Sequence, residues 1–170
     1  MTHLVGAIFT SFFVVTAGLC VAQTAILTDP QPLPLALDDS FEFRKIQQQF
    51  VSPEPYPEGT DRSVVFERKR ILHGAVSESE RRERYGNYYR FFWRAERPAD
   101  LTIRFEYRQN NLGEYVQARE IRYPEASGSI KSEFAIIGDD FESDGRVSAW
   151  RVLLIENGKV RAVKQSFLWK

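Results

Sequence analysis

Cysteine and histidine are almost absent from this chain. Its 170 residues contain one cysteine, Cys20, and two histidines, His3 and His73. A disulfide within the chain needs two thiols, so the composition excludes one, and removal of a segment containing Cys20 would leave no thiol at all. A Ser-His-Asp arrangement would have to use His73, and no nucleophile elbow accompanies it. We therefore expect neither thiol chemistry nor a cofactor.

Net charge is absent as well. The chain has 23 Lys and Arg residues and 23 Asp and Glu residues. No global electric field therefore attracts it to nucleic acid or to an anionic membrane. We expect no nucleic-acid partner, and contact with a membrane only if the N-terminal segment is retained.

That N-terminal segment is uncharged from residue 4 to residue 22. An apolar run at 8–15 is followed by small residues, and Cys20 and Ala22 fit the two positions that signal peptidase reads. We predict a signal peptide at residues 1–22 and an exported protein (periplasmic, cell-surface or secreted). The alternatives are an uncleaved anchor, since ~20 apolar residues span a bilayer, and lipidation at Cys20.

Residues 23–60 form a Pro-rich, acidic linker or tail. Six of the eight prolines lie here, in two clusters at 30–34 and 53–57 that predict extended spacers. Between the clusters, Phe43, Ile46 and Phe50 have the i, i+3, i+7 spacing of a short helix. Isolated helices under ~12 residues are marginal, so this segment either docks on the domain or folds against a partner.

From residue 61 onward, apolar side chains recur at every second position, the period of a strand with one buried face. Turn-forming residues interrupt the pattern at 97–100, 110–113, 124–128 and 138–145. We therefore assign 61–170 to one β domain without helices. The clearest inward faces are Tyr89, Phe91, Trp93 and Ala95; Leu101, Ile103, Phe105 and Tyr107; and Ile130, Ser132, Phe134 and Ile136.

The last two strands carry the strongest local signal, an Asn157-Gly158 pair typical of a type I′ turn. The turn places Ile155 opposite Val160 and Val152 opposite Val163. About seven short strands predict an all-β fold, a two-sheet antiparallel β-sandwich behind the tail, with a small closed barrel as the alternative. The expected core face of the last strands is Trp150, Val152, Leu154, Val163, Phe167 and Trp169.

The strand order over residues 63–170 resembles that of immunoglobulin-like and fibronectin type III-like sandwiches in strand number, alternation and long final hairpin. Residues 85–94 and 149–158 also resemble a small exported bacterial domain of unknown function. The Cys…Trp…Cys signature of antibody domains is absent. A sandwich of this kind serves many functions, so the resemblance implies a fold and no activity.

An oxygen-rich loop at 138–145 is the single candidate for a metal site. Carboxylates in a loop with glycines suit Ca²⁺. The EF-hand pattern fails, however, because its twelfth position is Arg151 and its flanks are predicted strands. The alternative is a solvated corner between strands. The candidate ligands are Asp140, Glu142 and Asp144.

One predicted strand has aromatic residues on both faces. Its outward face would present two rings between guanidinium groups, which can stack on sugars or bind an anionic polymer. Alternatively, the tail or residues 77–84 cover these rings. The residues concerned are Tyr88, Arg90, Phe92 and Arg94.

We expect an exported, non-enzymatic interaction or accessory module whose partner is a protein or a glycan. The second hypothesis is a carbohydrate-binding module that uses the outward aromatic face. The third is an unrecognised hydrolase, since paired carboxylates converge in space and leave no mark in sequence spacing.

The first prediction concerns processing. Because the residues before Gln23 fit the peptidase rule, the exported protein should begin at Gln23 and contain no free thiol. Intact-mass measurement of exported material tests this. A mass that still includes Cys20 would rule it out.

Overall fold

The computed structural model describes residues 24–28 and 30–169, so the predicted signal peptide at 1–22 lies outside the described residues. Within the described part, no helix is long and apolar enough to cross a bilayer. The strands are β1 (Thr24–Thr28), β2 (Phe41–Val51), β3 (Gly86–Gln109), β4 (Gln117–Ile137), β5 (Val147–Glu156) and β6 (Lys159–Gln165). The helices are α1 (Arg62–Leu72), α2 (Glu78–Arg82) and α3 (Asp139–Asp144).

The chain is mostly β, and six antiparallel strands belong to one hydrogen-bonded sheet. Its order is β1-β4-β3-β5-β6, and β2 pairs with the first half of β3. The predicted count of about seven short strands differs because β3 and β4 are each continuous where the sequence predicts two strands. Rings from the two halves of β3 contact each other, and both halves belong to this one sheet.

The bend that brings these two halves together lies in the long β3–β4 hairpin. β3 changes register twice between Ala95 and Leu101. Pro98 has no amide hydrogen for a strand ladder, and Gly128, opposite Ala95, has a φ of 76°, which favours glycine. The turn signals predicted at 97–100 and 124–128 therefore bend one hairpin instead of reversing the chain twice.

An aromatic cluster fills the inside of the bend. The ring centroid of Phe105 lies 4.6 Å from that of Tyr89, 5.4 Å from Phe91 and 5.3 Å from Phe134. The three predicted inward faces are buried, except that Ile130 is half-buried. Each ring pair adds ~0.5–1.5 kcal/mol beyond area burial, so these contacts hold the two halves of the hairpin together.

β2 lies where the sequence predicts a short helix in the tail. Its register against β3 shifts between Phe43 and Lys45, which marks a β-bulge. Inward-facing residues of a regular strand are two positions apart, but the bulge makes the inward-facing Phe43 and Ile46 three positions apart. Phe43, Ile46 and Phe50 therefore have helical spacing although they lie in a strand. The helix prediction is wrong, and β2 is part of the sheet.

Two helices at 62–82 also contradict the expectation of a helix-free domain. Asp61 caps α1, and its Oδ1 accepts a hydrogen bond from Ser63 N at 2.7 Å. Ser77 and Glu80 form a capping box at the start of α2. Caps satisfy the free amides of a first turn. The Ser-x-x-Glu spacing was therefore a readable signal that the strand alternation does not extend over these residues.

The final hairpin is confirmed in its turn and partly in its register. Both residues of the Asn-Gly turn have positive φ, 50° and 70°. Ile155 lies opposite Val160 as predicted. A register shift next to this pair places Leu153, and not Val152, opposite Val163. A single bulge in β6, at Arg161, thus changes the predicted pairing beyond the first pair.

The predicted core face of the last strands holds only as far as β5. Val163 packs on the other side of the sheet, near Leu33. Phe167 is 92% exposed, whereas Trp169 is buried as predicted, although its ring packs against the side chains of Arg108 and Arg151 and not in the main core. The prediction fails at Val163 because the bulge in β6 shifts its register, and it fails past Gln165 because β6 ends there and strand alternation stops. The residues that do lie in the main core are Trp150, Val152 and Leu154.

The first Pro-rich cluster docks on the domain, one of the two alternatives that the sequence leaves open. Ala36 N donates to Val160 O at 2.9 Å, and Asp38 N donates to Arg161 O at 3.0 Å. Leu33 packs against the outer side of β5 and β6. The segment then leads directly into β2, so it connects the last strand of the sheet to β2.

Arg97 links this segment to the bend. Its guanidinium donates to Glu156 Oε1 at 2.7 Å and to Asp38 Oδ2 at 3.1 Å, and it lies 4.5 Å from the ring centroid of Phe41. The hydrogen bond from Arg97 holds the pKa of Glu156 below its usual range. Charge-assisted bonds to two carboxylates fix this corner.

The second prediction tests the buried tryptophans. Trp93 is 1% exposed and donates to Ser132 Oγ at 2.9 Å, and Trp150 is 5% exposed. Because each alanine substitution leaves a large cavity, Trp93→Ala and Trp150→Ala should each lower the free energy of unfolding by ~3–5 kcal/mol in urea denaturation. Phe167→Ala is the exposed control and should change it by ~0.5 kcal/mol or less. An unchanged midpoint for either tryptophan variant would contradict its inward position.

Candidate functional site

The residues predicted for the outward aromatic face do share one side of β3. Along this strand buried residues alternate with less buried ones. Only Arg94 is exposed, and the other three side chains are half-buried. The structure therefore places together the four predicted residues: Tyr88, Arg90, Phe92 and Arg94.

The protein's own chain contacts three of the four residues on this outward face. Tyr88 OH donates to Arg84 O at 2.8 Å, and burial raises the pKa of the Tyr88 phenol. Arg90 Nε donates to Glu133 Oε1 at 2.9 Å. Lys45 Nζ lies 5.9 Å from the Phe92 ring centroid. Of these contacts, only the one to Tyr88 comes from residues 77–84, the segment that the sequence offers as a cover.

A groove with a volume of about 670 Å³ remains between this face and α1, and we call it the outer groove. Tyr88, Arg90, Gln49 and Glu67 contribute to its lining. The Gln49 Nε2 atom is buried and has no hydrogen-bond partner among the described residues. No residue of α1 is buried. The helix thus lies over the groove with few fixed contacts.

The carboxylates of the predicted calcium loop do not converge. All three lie in the short helix α3. Asp140 forms an ion pair with Arg119, and Asp144 Oδ2 accepts from Gln117 Nε2 at 3.1 Å. Among the residues that the structure describes, no group of three or more His, Cys, Asp or Glu could hold a metal ion.

A second groove opens where the inward face of the sheet turns from apolar to polar, at the end farthest from the bend. Gln48 of β2 and Asn87 of β3 take positions there that apolar residues occupy elsewhere on this face. The groove has a volume of about 690 Å³. We call it the amide groove, because five of its lining residues have carboxamide side chains: Gln48, Gln49, Asn87, Asn110 and Gln165.

Three of these carboxamides are oriented by hydrogen bonds to the protein. Gln48 Oε1 accepts from Trp150 Nε1 at 3.2 Å, and Asn87 Oδ1 accepts from Val147 N at 3.1 Å. Gln165 Nε2 donates to Trp169 O at 3.2 Å. Among the described residues, the other polar atom of each of these three side chains has no partner. Each therefore offers a ligand one oriented donor or acceptor.

Aromatic rings form the apolar part of the amide groove. Tyr89 and Trp150 reach it from the core, and Phe167 stands at the rim. The guanidinium of Arg146 lies 4.3 Å from the ring centroid of Phe50. Within the described lining there is no Asp, Glu, His or Lys. The groove thus combines amides, rings and a single positive charge.

His73, the residue on which a catalytic triad would depend, is exposed at the end of α1. Its carbonyl oxygen accepts from Arg84 Nη1 at 2.7 Å. The described linings of the outer groove and of the amide groove do not include it. The structure therefore brings His73 to neither candidate site.

Reasoning from the sequence missed the amide groove. Its walls come from β2, which the helical spacing concealed, and from the start of β5 and the chain after β6. One signal was present, because Asn87 continues the inward series of Tyr89, Phe91 and Trp93 with a polar side chain. A polar residue at an inward position is a departure typical of functional sites.

Comparison of this chain with protein-family models, with curated proteins and with solved structures gives no match.

The third prediction tests the cover over the outward face. Tyr88→Phe removes the hydroxyl that bonds to Arg84 O, so trypsin should cleave faster after Arg81 and Arg84. The free energy of unfolding should fall by only ~1 kcal/mol, the usual value of one hydrogen bond. Tyr115→Phe, at an exposed tyrosine, is the matched control. Unchanged cleavage of the Tyr88 variant would mean that this bond does not hold residues 77–84 on the sheet.

Proposed function

We propose that the protein is an exported, non-catalytic binding module that holds a saccharide in the amide groove. The observation that carries the proposal is the presence of Gln48 and Asn87 on the inward face of the sheet. Asn87 is buried, and a buried polar group costs stability unless it is hydrogen-bonded, whereas Gln48 is exposed. Among the described residues, each of the two side chains is hydrogen-bonded on one side only. A ligand would complete these bonds.

The chemistry of the lining supports a saccharide as that ligand. A carboxamide both donates and accepts, as a sugar hydroxyl does. Phe167 supplies an exposed ring against which the C–H face of a sugar ring can pack, and the buried rings of Tyr89 and Trp150 border the groove from the core. Phe167 has no packing role, since it is 92% exposed. An exposed ring at the rim of a polar groove is suited to contact a ligand.

A binding role agrees with the lining better than catalysis does. General acid–base catalysis needs a titratable side chain within reach of the substrate, and the described lining of the amide groove contains no carboxylate and no imidazole. The outward face is less suited to a glycan, because Tyr88 and Arg90 already bond to Arg84 and Glu133. We therefore place the ligand in the amide groove and not on the face that the sequence favours.

The fourth prediction tests this placement. In a glycan-array screen the exported protein should bind at least one glycan, which is then titrated by calorimetry. Phe167→Ala should weaken that binding about fivefold, a loss of ~1 kcal/mol typical of one ring contact. Stability should not change, because the ring is exposed.

The control is Phe66→Ala, which removes an exposed ring on α1, outside the described lining of the amide groove. This variant should bind like the wild type. ¹H–¹⁵N spectra should show the ligand shifting the side-chain amides of Gln48, Asn87 and Gln165. Binding that shifts none of these amides, or the absence of any bound glycan, would contradict the proposal.

A further inference from the structure

Arg146 is the single charged residue in the described lining of the amide groove. It directly precedes β5, and its carbonyl oxygen accepts from Asn110 N at 3.0 Å, which fixes the backbone at this point. Its guanidinium lies over Phe50, 4.3 Å from the ring centroid. The Phe50 ring in turn meets Phe141 edge-on at 5.6 Å. The cation is therefore held in place by backbone and ring contacts.

The Arg146 guanidinium has no hydrogen bond and no ion pair among the residues that the structure describes. Other arginines of the same sheet do have carboxylate partners. Arg90 pairs with Glu133, Arg97 with Glu156, and Arg104 with Glu120. A folded chain with as many acidic as basic residues has thus left the guanidinium at this groove without a carboxylate.

We propose that the amide groove selects an acidic saccharide, and that Arg146 binds a carboxylate on its sugar ring; this inference rests on the proposed function. A guanidinium in contact with a ring through its face keeps its N–H donors at its edge, where they match a planar carboxylate in a bidentate pair. A neutral sugar would leave these charged donors without an ionic partner.

A carboxylate fits this groove better than other anions do. Phosphate and sulfate groups are commonly bound by several cations or by a row of backbone amides. The described lining holds one guanidinium and supplies its remaining polar contacts mainly through neutral carboxamides. One planar charge among hydroxyl-binding groups corresponds to a hexuronate unit, in which a single carboxylate accompanies several hydroxyls.

The test compares acid and ester forms of the same sugar chain. Calorimetry would measure the binding of galacturonate and mannuronate trimers, each beside its fully methyl-esterified form, to the full exported chain. We expect at least one acid trimer to bind about tenfold more tightly than its ester, since hydrogen bonds to charged groups are the stronger ones. This preference should shrink as sodium chloride is raised, because salt screens an exposed pair.

The matched variants are Arg146→Gln and Arg94→Gln. Arg146→Gln should bind acid and ester alike, at the level of the ester, and should melt like the wild type because Arg146 is exposed. Arg94→Gln removes an exposed arginine on the outward face and should keep the full preference. In the wild type, addition of the acid should shift the Arg146 Nε–H resonance, and addition of the ester should not.

Several outcomes would overturn the inference. Equal binding of acid and ester to the wild type would show that Arg146 does not bind a carboxylate, and it would not contradict the proposed function. If Arg146→Gln still preferred the acid to the ester, a residue other than Arg146 would have to bind the carboxylate. If a sulfated trimer of equal charge bound more tightly than the acid trimers, the assignment of a carboxylate as the bound anion would be wrong. If no trimer binds while the array identifies a neutral glycan, the inference fails alone; if the array is also empty, the proposed function fails with it.

Discussion

The bend in the β3–β4 hairpin is the constraint on which the rest of the structure depends. β2 and β5 both pair with the edge of β3 opposite β4, one strand on each side of the bend. In a flat sheet they would follow each other along that edge. Because β3 bends back, they face each other instead, and Gln48 of β2 reaches the Trp150 indole of β5 at 3.2 Å. The amide groove is the space that this folding leaves between them.

Two sets of contacts keep the hairpin bent. Inside the bend, aromatic rings from both halves pack together, with Phe105 between Tyr89 and Phe134. Outside it, Arg97 connects the corner to the end of β5 and to the Pro-rich segment through Glu156 and Asp38. The rings contribute by burial and the arginine by charge-assisted hydrogen bonds. Because Pro98 and Gly128 weaken the backbone hydrogen bonding between β3 and β4 at the corner, these contacts determine the angle of the bend.

The same geometry places the polar and apolar parts of the candidate site. Core rings extend to the open end of the sheet, where Tyr89 and Trp150 border the groove. Gln48 and Asn87 take over the inward positions there, and Arg146 enters from the start of β5. A groove of this kind can recognise a ligand by hydrogen bonds, ring contact and one charge together. Its lining residues come from several segments that are distant from one another in the sequence.

The sequence by itself determined what depends on neighbours along the chain. Period-two alternation identified the inward rings of β3 and β4, and the Asn-Gly pair identified the last hairpin, because both follow from local backbone geometry. Only the tertiary structure decided whether residues 97–100 and 124–128 reverse the chain or bend it, since ring contacts across the hairpin make that choice. The bulge in β2 follows from its pairing with β3, and the amide groove from the meeting of β2 with β5. These are contacts between distant segments, which leave no regular spacing in the sequence.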